Sequence, residues 1–191
     1  MPEFSASQIR AAYRKAAVSA LNKTLITCRA AAIKQIRETH NVQASALRDR
    51  ITIRRAQAGK LEGYLIVRGE RGDRIPLGKF RATQNRTGVR VLVSKVRPTI
   101  IRHAFIPQLP SGHRGVFIRK GPKRAMKRGR YAPGTGDALT FYKRQPIIEM
   151  AGPTPANLYQ KSNAVEVVKA AARELGRVLQ HEMKFRLGGG R

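Results

Sequence analysis

Residues 5–38 read SASQIRAAYRKAAVSALNKTLITCRAAAIKQIRE, and residues 51–54 read ITIR. The change of period between them decides the fold class. In the first stretch Ile9, Tyr13, Ala16, Ala17, Ala20, Leu21, Thr24, Cys28, Ala32 and Ile36 recur at three- and four-residue intervals, which is one face of a helix. Arg10, Arg14, Lys15, Lys23, Arg29 and Lys34 fall on the other face. The spacing predicts one long helix over 5–38, capped by Ser5 or Ser7. Its stripe is rich in Ala, so a partner element can approach closely. A short second helix is expected at 43–49, after Asn41. From Ile51 the apolar residues alternate with Thr52 and Arg54, the period of a strand with one face buried.

Working outward, the alternation continues. Strands are predicted over 61–67, 75–81, 88–94, 99–106, 115–119 and 138–143. Short connections carrying Gly and Pro, such as Pro110 and Gly112, favour antiparallel pairing. The chain then returns to helical spacing. Val165, Val168, Ala172, Leu175, Leu179, Met183 and Leu187 form one stripe, Asn163 with Glu166 fits a capping-box start, and Gly176 weakens the middle. The order helix, strands, helix implies an α+β fold: an antiparallel sheet or small sandwich, packed by long N-terminal and C-terminal helices. The expected organisation is a single domain over 1–191. It comprises an N-terminal helix at about 5–38, an antiparallel β core at about 50–144 holding a basic loop at 119–137, and a C-terminal helix at about 163–187. Leu21, Leu25 and Ile36 on the first helix, with Val168, Leu175 and Leu179 on the last, are the residues expected to pack the helices.

Charge narrows the function. The 191 residues hold 39 Lys and Arg against 11 Asp and Glu, a formal net charge of +28. Such a field repels copies of itself and draws in polyanions. Nucleic acid is the foremost partner, because Lys and Arg that neutralise phosphates release counterions. The surplus is concentrated: residues 74–136 contain sixteen Lys and Arg and no Asp or Glu. A merely solvated face mixes its signs, since like charges on one sheet repel. Within this stretch Arg119, Lys120, Lys123, Arg124, Lys127, Arg128 and Arg130 are interleaved with Gly and Pro and lack apolar periodicity. They read as a loop that contacts DNA or an acidic neighbour, with Arg114 just ahead of it.

Other classes are disfavoured. The single cysteine, Cys28, excludes an intrachain disulfide and sits among apolar residues, so it reads as a small buried hydrophobe. His40, His103, His113 and His181 lack metal-ligand spacing. Ser111 and His113 are close in sequence but belong to a turn, with no third catalytic member in sight. No catalytic residue, metal or cofactor is therefore expected. No apolar run is long enough to span a membrane, and the opening MPEFSASQIR lacks a signal-peptide layout, which gives the expectation of folding in a reducing cytoplasm.

Four collinear blocks carry a family resemblance. Ala20-Leu21-Asn22-Lys23-Thr24, with Arg29, Ile33 and Ile36, resembles the first helix of the phage minor tail protein Z family. Ile75-Pro76-Leu77 with Phe80 and Ala82 is similar to its central strand. Phe105-Ile106 followed by Gly112-His113-Arg114-Gly115-Val116-Phe117-Ile118-Arg119 resembles its strand, Gly-His turn and strand. Pro146-Ile147-Ile148-Glu149, then Gly152-Pro153 and a terminal helix, completes the order. The basic insert between Lys120 and Ala138 departs from the family pattern in its length.

The resemblance implies a lambda-like tail-completion or neck component. It would be a structural virion protein assembled in the host cytoplasm, forming a ring of six or twelve subunits around the DNA channel. The implied neighbours are a tail terminator, the tail tube or a head-side connector, with double-stranded DNA held non-specifically and no membrane partner. Two other readings fit the charge: a cellular nucleic-acid-binding protein of ribosomal type, and a tail-assembly factor absent from the finished particle.

Overall fold

A computed structural model describes residues 5–107, 109, 111–121 and 146–187. The fold is α+β. Helix α1 spans Ala6–Thr39, as the apolar spacing predicts. Ser5 is its N-cap: the Gln8 amide donates to Ser5 Oγ at 3.3 Å, and the Ser5 amide donates to Gln8 Oε1 at 2.9 Å, closing a capping box. Ala16, Ala17, Ala20, Thr24, Cys28, Ala32 and Ile36 line its buried face. Helix α2 follows at Ala44–Arg48.

Seven short strands form three small antiparallel sheets among the described residues. Strands β1 (Ile51–Arg54) and β2 (Tyr64–Val67) make a hairpin with Ile51 opposite Val67. Strands β3 (Thr83–Asn85), β4 (Gly88–Val91) and β5 (Thr99–Arg102) make a meander. Strands β6 (Phe117–Arg119) and β7 (Ile147–Glu149) pair with Ile118 opposite Ile148. A single bridge between Phe105 and Phe117 joins the second sheet's trailing chain to the third sheet.

The expected strand at 75–81 is not formed. Its alternation is real, since Ile75 and Leu77 are buried. Yet Pro76 has no N–H to give a ladder, and Leu77–Lys79 winds into a 3-10 turn instead. The segment keeps one bridge, Pro76 to Ala151, flanked by bonds from Gly152 N to Ile75 O and from Leu77 N to Met150 O. Strands β3 and β7 form where the apolar pattern predicts none. The strand expected at 138–143 lies outside the described residues.

The C-terminal helical region begins earlier than expected and is divided. Thr154 caps helix α3 (Pro155–Lys161), accepting from the Asn157 amide at 3.3 Å, with Pro155 at the first helical position. Helix α4 spans Ala164–Arg173 and helix α5 spans Leu175–Leu187. Asn163 is no capping box. It adopts a left-handed conformation (φ +57°) that turns the chain between α3 and α4, and its side chain makes no cap bond. Glu166 pairs with Lys169 Nζ at 2.8 Å instead. The second break falls at Glu174, ahead of Gly176.

The core joins these parts. Ile36 and Leu47 from the helices meet Ile51, Ile75, Phe80, Val89, Val91, Val116 and Leu158, all fully or almost fully buried. Helix α1 packs along α4 and α5 on one side and against the first hairpin on another. Of the expected packing residues, Ile36 is fully buried, while Leu21, Leu25, Val168, Leu175 and Leu179 are half-buried, Leu25 lying against Gly63 of the first hairpin's loop. Cys28 is buried, its Sγ 3.7 Å from the Val168 carbonyl, and burial pushes its thiol pKa up, as suits an inert side chain.

Asn22, within the first resemblance block, has a specific structural task. Its Nδ2 donates to the Ala56 carbonyl at 3.2 Å, and its Oδ1 accepts from the Ala56 amide at 2.9 Å. The pair ties α1 to the loop after β1. Each bond contributes roughly 0.5–1.5 kcal/mol. Asn22→Ala is therefore expected to lower stability by about 1–2 kcal/mol in urea titrations, whereas an unchanged midpoint would contradict the clamp.

Candidate nucleic-acid interface and the Gly-His turn

The β3–β4–β5 meander has two unlike faces. Val89 and Val91 point into the core, so the alternate residues of β4 point out. Arg90 stands opposite Thr83 and Ile100, and Arg102 stands opposite Gly88. Arg90 and Arg102 are thus diagonal neighbours on the outer face, about 7–8 Å apart. Arg86 sits at the β3–β4 turn, and Arg81 and Arg97 lie in the flanking segments. All are exposed, as are Arg74, Lys79 and Lys95.

Gly88 lets β4 and β5 approach. Its φ is +156°, and a Cβ there would run into the Ile101 carbonyl oxygen. Beneath the sheet, Gln84 satisfies backbone groups at its edge: its Oε1 accepts from Ile106 N at 2.8 Å and its Nε2 donates to Gly88 O at 3.2 Å.

The third sheet carries the second basic group. Arg119 on β6 lies over the Phe105 ring, 5.2 Å from its centroid, a cation–π contact that fixes an exposed guanidinium. Lys120 follows, its backbone amide donating to the Pro146 carbonyl at 2.8 Å, and it is exposed. Arg114 is exposed in the turn before β6. The remaining candidates, Lys123, Arg124, Lys127, Arg128 and Arg130, lie outside the described residues. The structure therefore places Arg119 over Phe105, with Lys120 exposed at the end of the same strand. It also reveals Arg90 and Arg102 on the neighbouring sheet: strand period turns Arg90 outward, and the register of β4 with β5 makes the two neighbours.

The Gly-His turn is held by a contact that no spacing foretells. His113 Nε2 donates to Glu149 Oε1 at 3.0 Å, across 36 positions of sequence, and its ring meets Phe117 edge-on with centroids 6.2 Å apart. Gly112 takes a left-handed φ of +71°. Gly115 leaves room for the Glu149 carboxylate and the Phe117 ring, where a Cβ would collide with both. Gly78 does the same for the Arg114 carbonyl. The arrangement fixes the turn that leads into β6. It is a structural turn: Ser111 Oγ accepts from the His113 backbone amide at 3.5 Å and is not joined to the imidazole. The His113–Glu149 pair is partly exposed, so His113→Ala is expected to cost no more than about 1 kcal/mol in thermal melts. A much larger loss would mean that the turn bears on the core.

A helical layer packed beside small sheets, with exposed Arg and Lys along the β surface, defines an α+β protein. The chain matches the family model for prophage minor tail protein Z over residues 6–188, and it belongs to that family. It is accordingly a bacteriophage tail structural protein, associated with the virion. No curated protein and no solved structure matches it. Among the described residues, no helix is long and apolar enough to cross a membrane.

Proposed function

We propose that this minor tail protein is a tail-completion subunit at the head–tail junction. Its copies close a ring of six or twelve around the DNA channel and hold the duplex by phosphate contacts, without catalysis or cofactor. Its neighbours in this reading are a tail terminator, the tail tube or a head-side connector. The observation that carries the reading is the exposed basic surface of the second and third sheets, built on Arg90, Arg102, Arg114, Arg119 and Lys120. Phosphate contacts of this kind position a duplex without reading its bases.

Binding to short duplexes of unrelated sequence is expected to be equally tight and to weaken steeply with salt. Each neutralised phosphate contributes about −0.9 to the log–log slope. Replacing Arg90 and Arg102 by Ser should flatten the slope by about 0.9 for every phosphate that is no longer neutralised. The same replacement at Lys123, Arg124, Lys127 and Arg128 measures the loop's share. An unchanged slope in both variants would sink the DNA reading. A virion reconstruction with this chain absent from the neck would sink the location. Mass spectrometry of purified particles without the chain would make it an assembly factor instead.

A further inference from the structure

A groove of about 580 Å³ runs between α1 and α2, lined by none of the arginines and lysines assigned above to the basic sheets. Its apolar lining comes from Ile26, Ala30 and Ile33 of α1 and Ala44 of α2. Ile26 is 51% exposed, and Ala30 is exposed as well. Arg29, Lys34, Arg37 and Arg48 edge this lining, with Glu38 the one acid at its end. Helical geometry explains the pattern. Ile26, Ala30 and Lys34 follow one four-residue row of α1, and Arg29, Ile33 and Arg37 follow the next. The α2 wall is stabilised from α1, since Arg29 Nη2 donates to the Arg48 carbonyl at 2.7 Å. From Ile26 to Arg37 the groove runs about 16 Å, three turns of helix.

The geometry points to a docking site for an acidic amphipathic helix supplied by a neighbouring protein. An apolar floor with a basic rim is matched by Leu- or Ile-like residues at helical spacing, flanked by Asp and Glu. Other occupants fit less well. A duplex offers phosphates for the rim but no apolar side chains for Ile26, Ala30 and Ile33. A second copy offers no acidic helix, because every α-helix among the described residues carries more Lys and Arg than Asp and Glu. Residues 122–145 are equally unsuited in charge, with Asp137 their one acid against seven Lys and Arg. The site is independent of the DNA-binding reading, which uses other residues.

The test uses the full chain and three probes followed by fluorescence anisotropy. One is a synthetic peptide of about 16 residues, long enough to hold a helix, with Leu on one face and Glu on its flanks. The second is a scrambled peptide of the same composition, and the third is a short DNA duplex. The ordered peptide is expected to bind at least about tenfold more tightly than the scrambled one. Ile26→Ser should weaken the ordered peptide by about tenfold, the order expected from uncovering one large aliphatic side chain, while leaving duplex affinity unchanged. Lys34→Ser with Arg37→Ser should weaken the peptide and flatten its salt dependence. Ile26 is exposed, so its replacement should leave the melting temperature in place, and the melt is recorded with each variant.

Equal binding of the two peptides, no peptide binding, or indifference to Ile26→Ser would overturn the proposal. Equal weakening of peptide and duplex by Ile26→Ser would overturn it too, by assigning the groove to nucleic acid. Loss of self-association in that variant would do so by assigning it to a second copy. Failure of the duplex arm alone would count against the DNA reading and leave the groove assignment standing.

Discussion

Phe80→Ala is expected to lower stability by about 3–5 kcal/mol, read as the shift of a urea unfolding midpoint at constant slope. Phe80 has no exposed surface and is the largest of the fully buried side chains among the described residues. Its ring fills the space that Gly152 leaves open, where a Cβ would come within 2.9 Å of Phe80 Cε2. Its carbonyl accepts from Leu92 N at 3.2 Å, so the residue also sets the chain path beyond β4. Truncation removes the apolar contact and opens a cavity between the 3-10 turn, the β4 strand and the 150–153 segment. Against a typical total of about 5–15 kcal/mol, that reduction is a large fraction. Phe80→Leu should cost less, because it retains most of the volume. Equal midpoints for wild type and Phe80→Ala would mean that this core is not the one that holds the fold.

The second large effect concerns the helical layer. Glu182 on α5 is 4% exposed, more buried than the apolar residues expected to line that helix. It accepts from Lys23 Nζ of α1 at 2.5 Å and lies 3.4 Å from Arg186 Nη2. The Lys23 hydrogen bond holds the Glu182 carboxyl below the usual carboxylate range, against the opposing pull of burial. A carboxyl more acidic folded than unfolded stabilises the fold fully above its unfolded pKa. That contribution fades as pH falls through the folded pKa, because the unfolded chain then takes up the proton first. Glu182→Gln is therefore expected to cost about 1.5–3 kcal/mol near neutrality, the worth of a hydrogen bond to a charged group. The gap between wild type and variant should close as the buffer is acidified below the ordinary carboxylate range. Parallel stability curves down to strong acid would show that the ion pair contributes nothing.

These two residues illustrate what a one-dimensional reading can and cannot reach. Helix α1 was legible because its determinants are local: an Ala-rich stripe at helical spacing and Ser5 three residues before Gln8. The alternation around Val89 and Val91 was legible for the same reason. At 75–81 the apolar alternation was right about burial and wrong about the ladder, because Pro76 decides the hydrogen bonding while Ile75 and Leu77 decide the packing. In the C-terminal region Thr154-Pro155 starts a helix ahead of the apolar stripe that begins at Val165, and Asn163 takes a left-handed turn rather than a capping box. Contacts such as Lys23 with Glu182 and His113 with Glu149 join distant positions, so no window of sequence contains both partners. The candidate surface was only partly visible. Its charge surplus was plain in composition, but which arginines share a face depended on the register of β4 with β5.

Helix α1 has a mechanical consequence as well. Its 34 residues make a rod about 50 Å long. The described β part has no comparable beam: its strands are three or four residues long, and the second and third sheets are joined by one backbone bridge, Phe105 to Phe117, and by side chains of the shared core. Shear between those two sheets is therefore resisted by the packing of Val89, Val91 and Val116 in the shared core more than by backbone hydrogen bonds. Load that reaches Ile36 enters a stiff strut whose flank is braced by α4 and α5, and it is delivered a full rod length away. A subunit made this way has its longest continuous hydrogen-bonded element along its spine and only short ladders across its β surface.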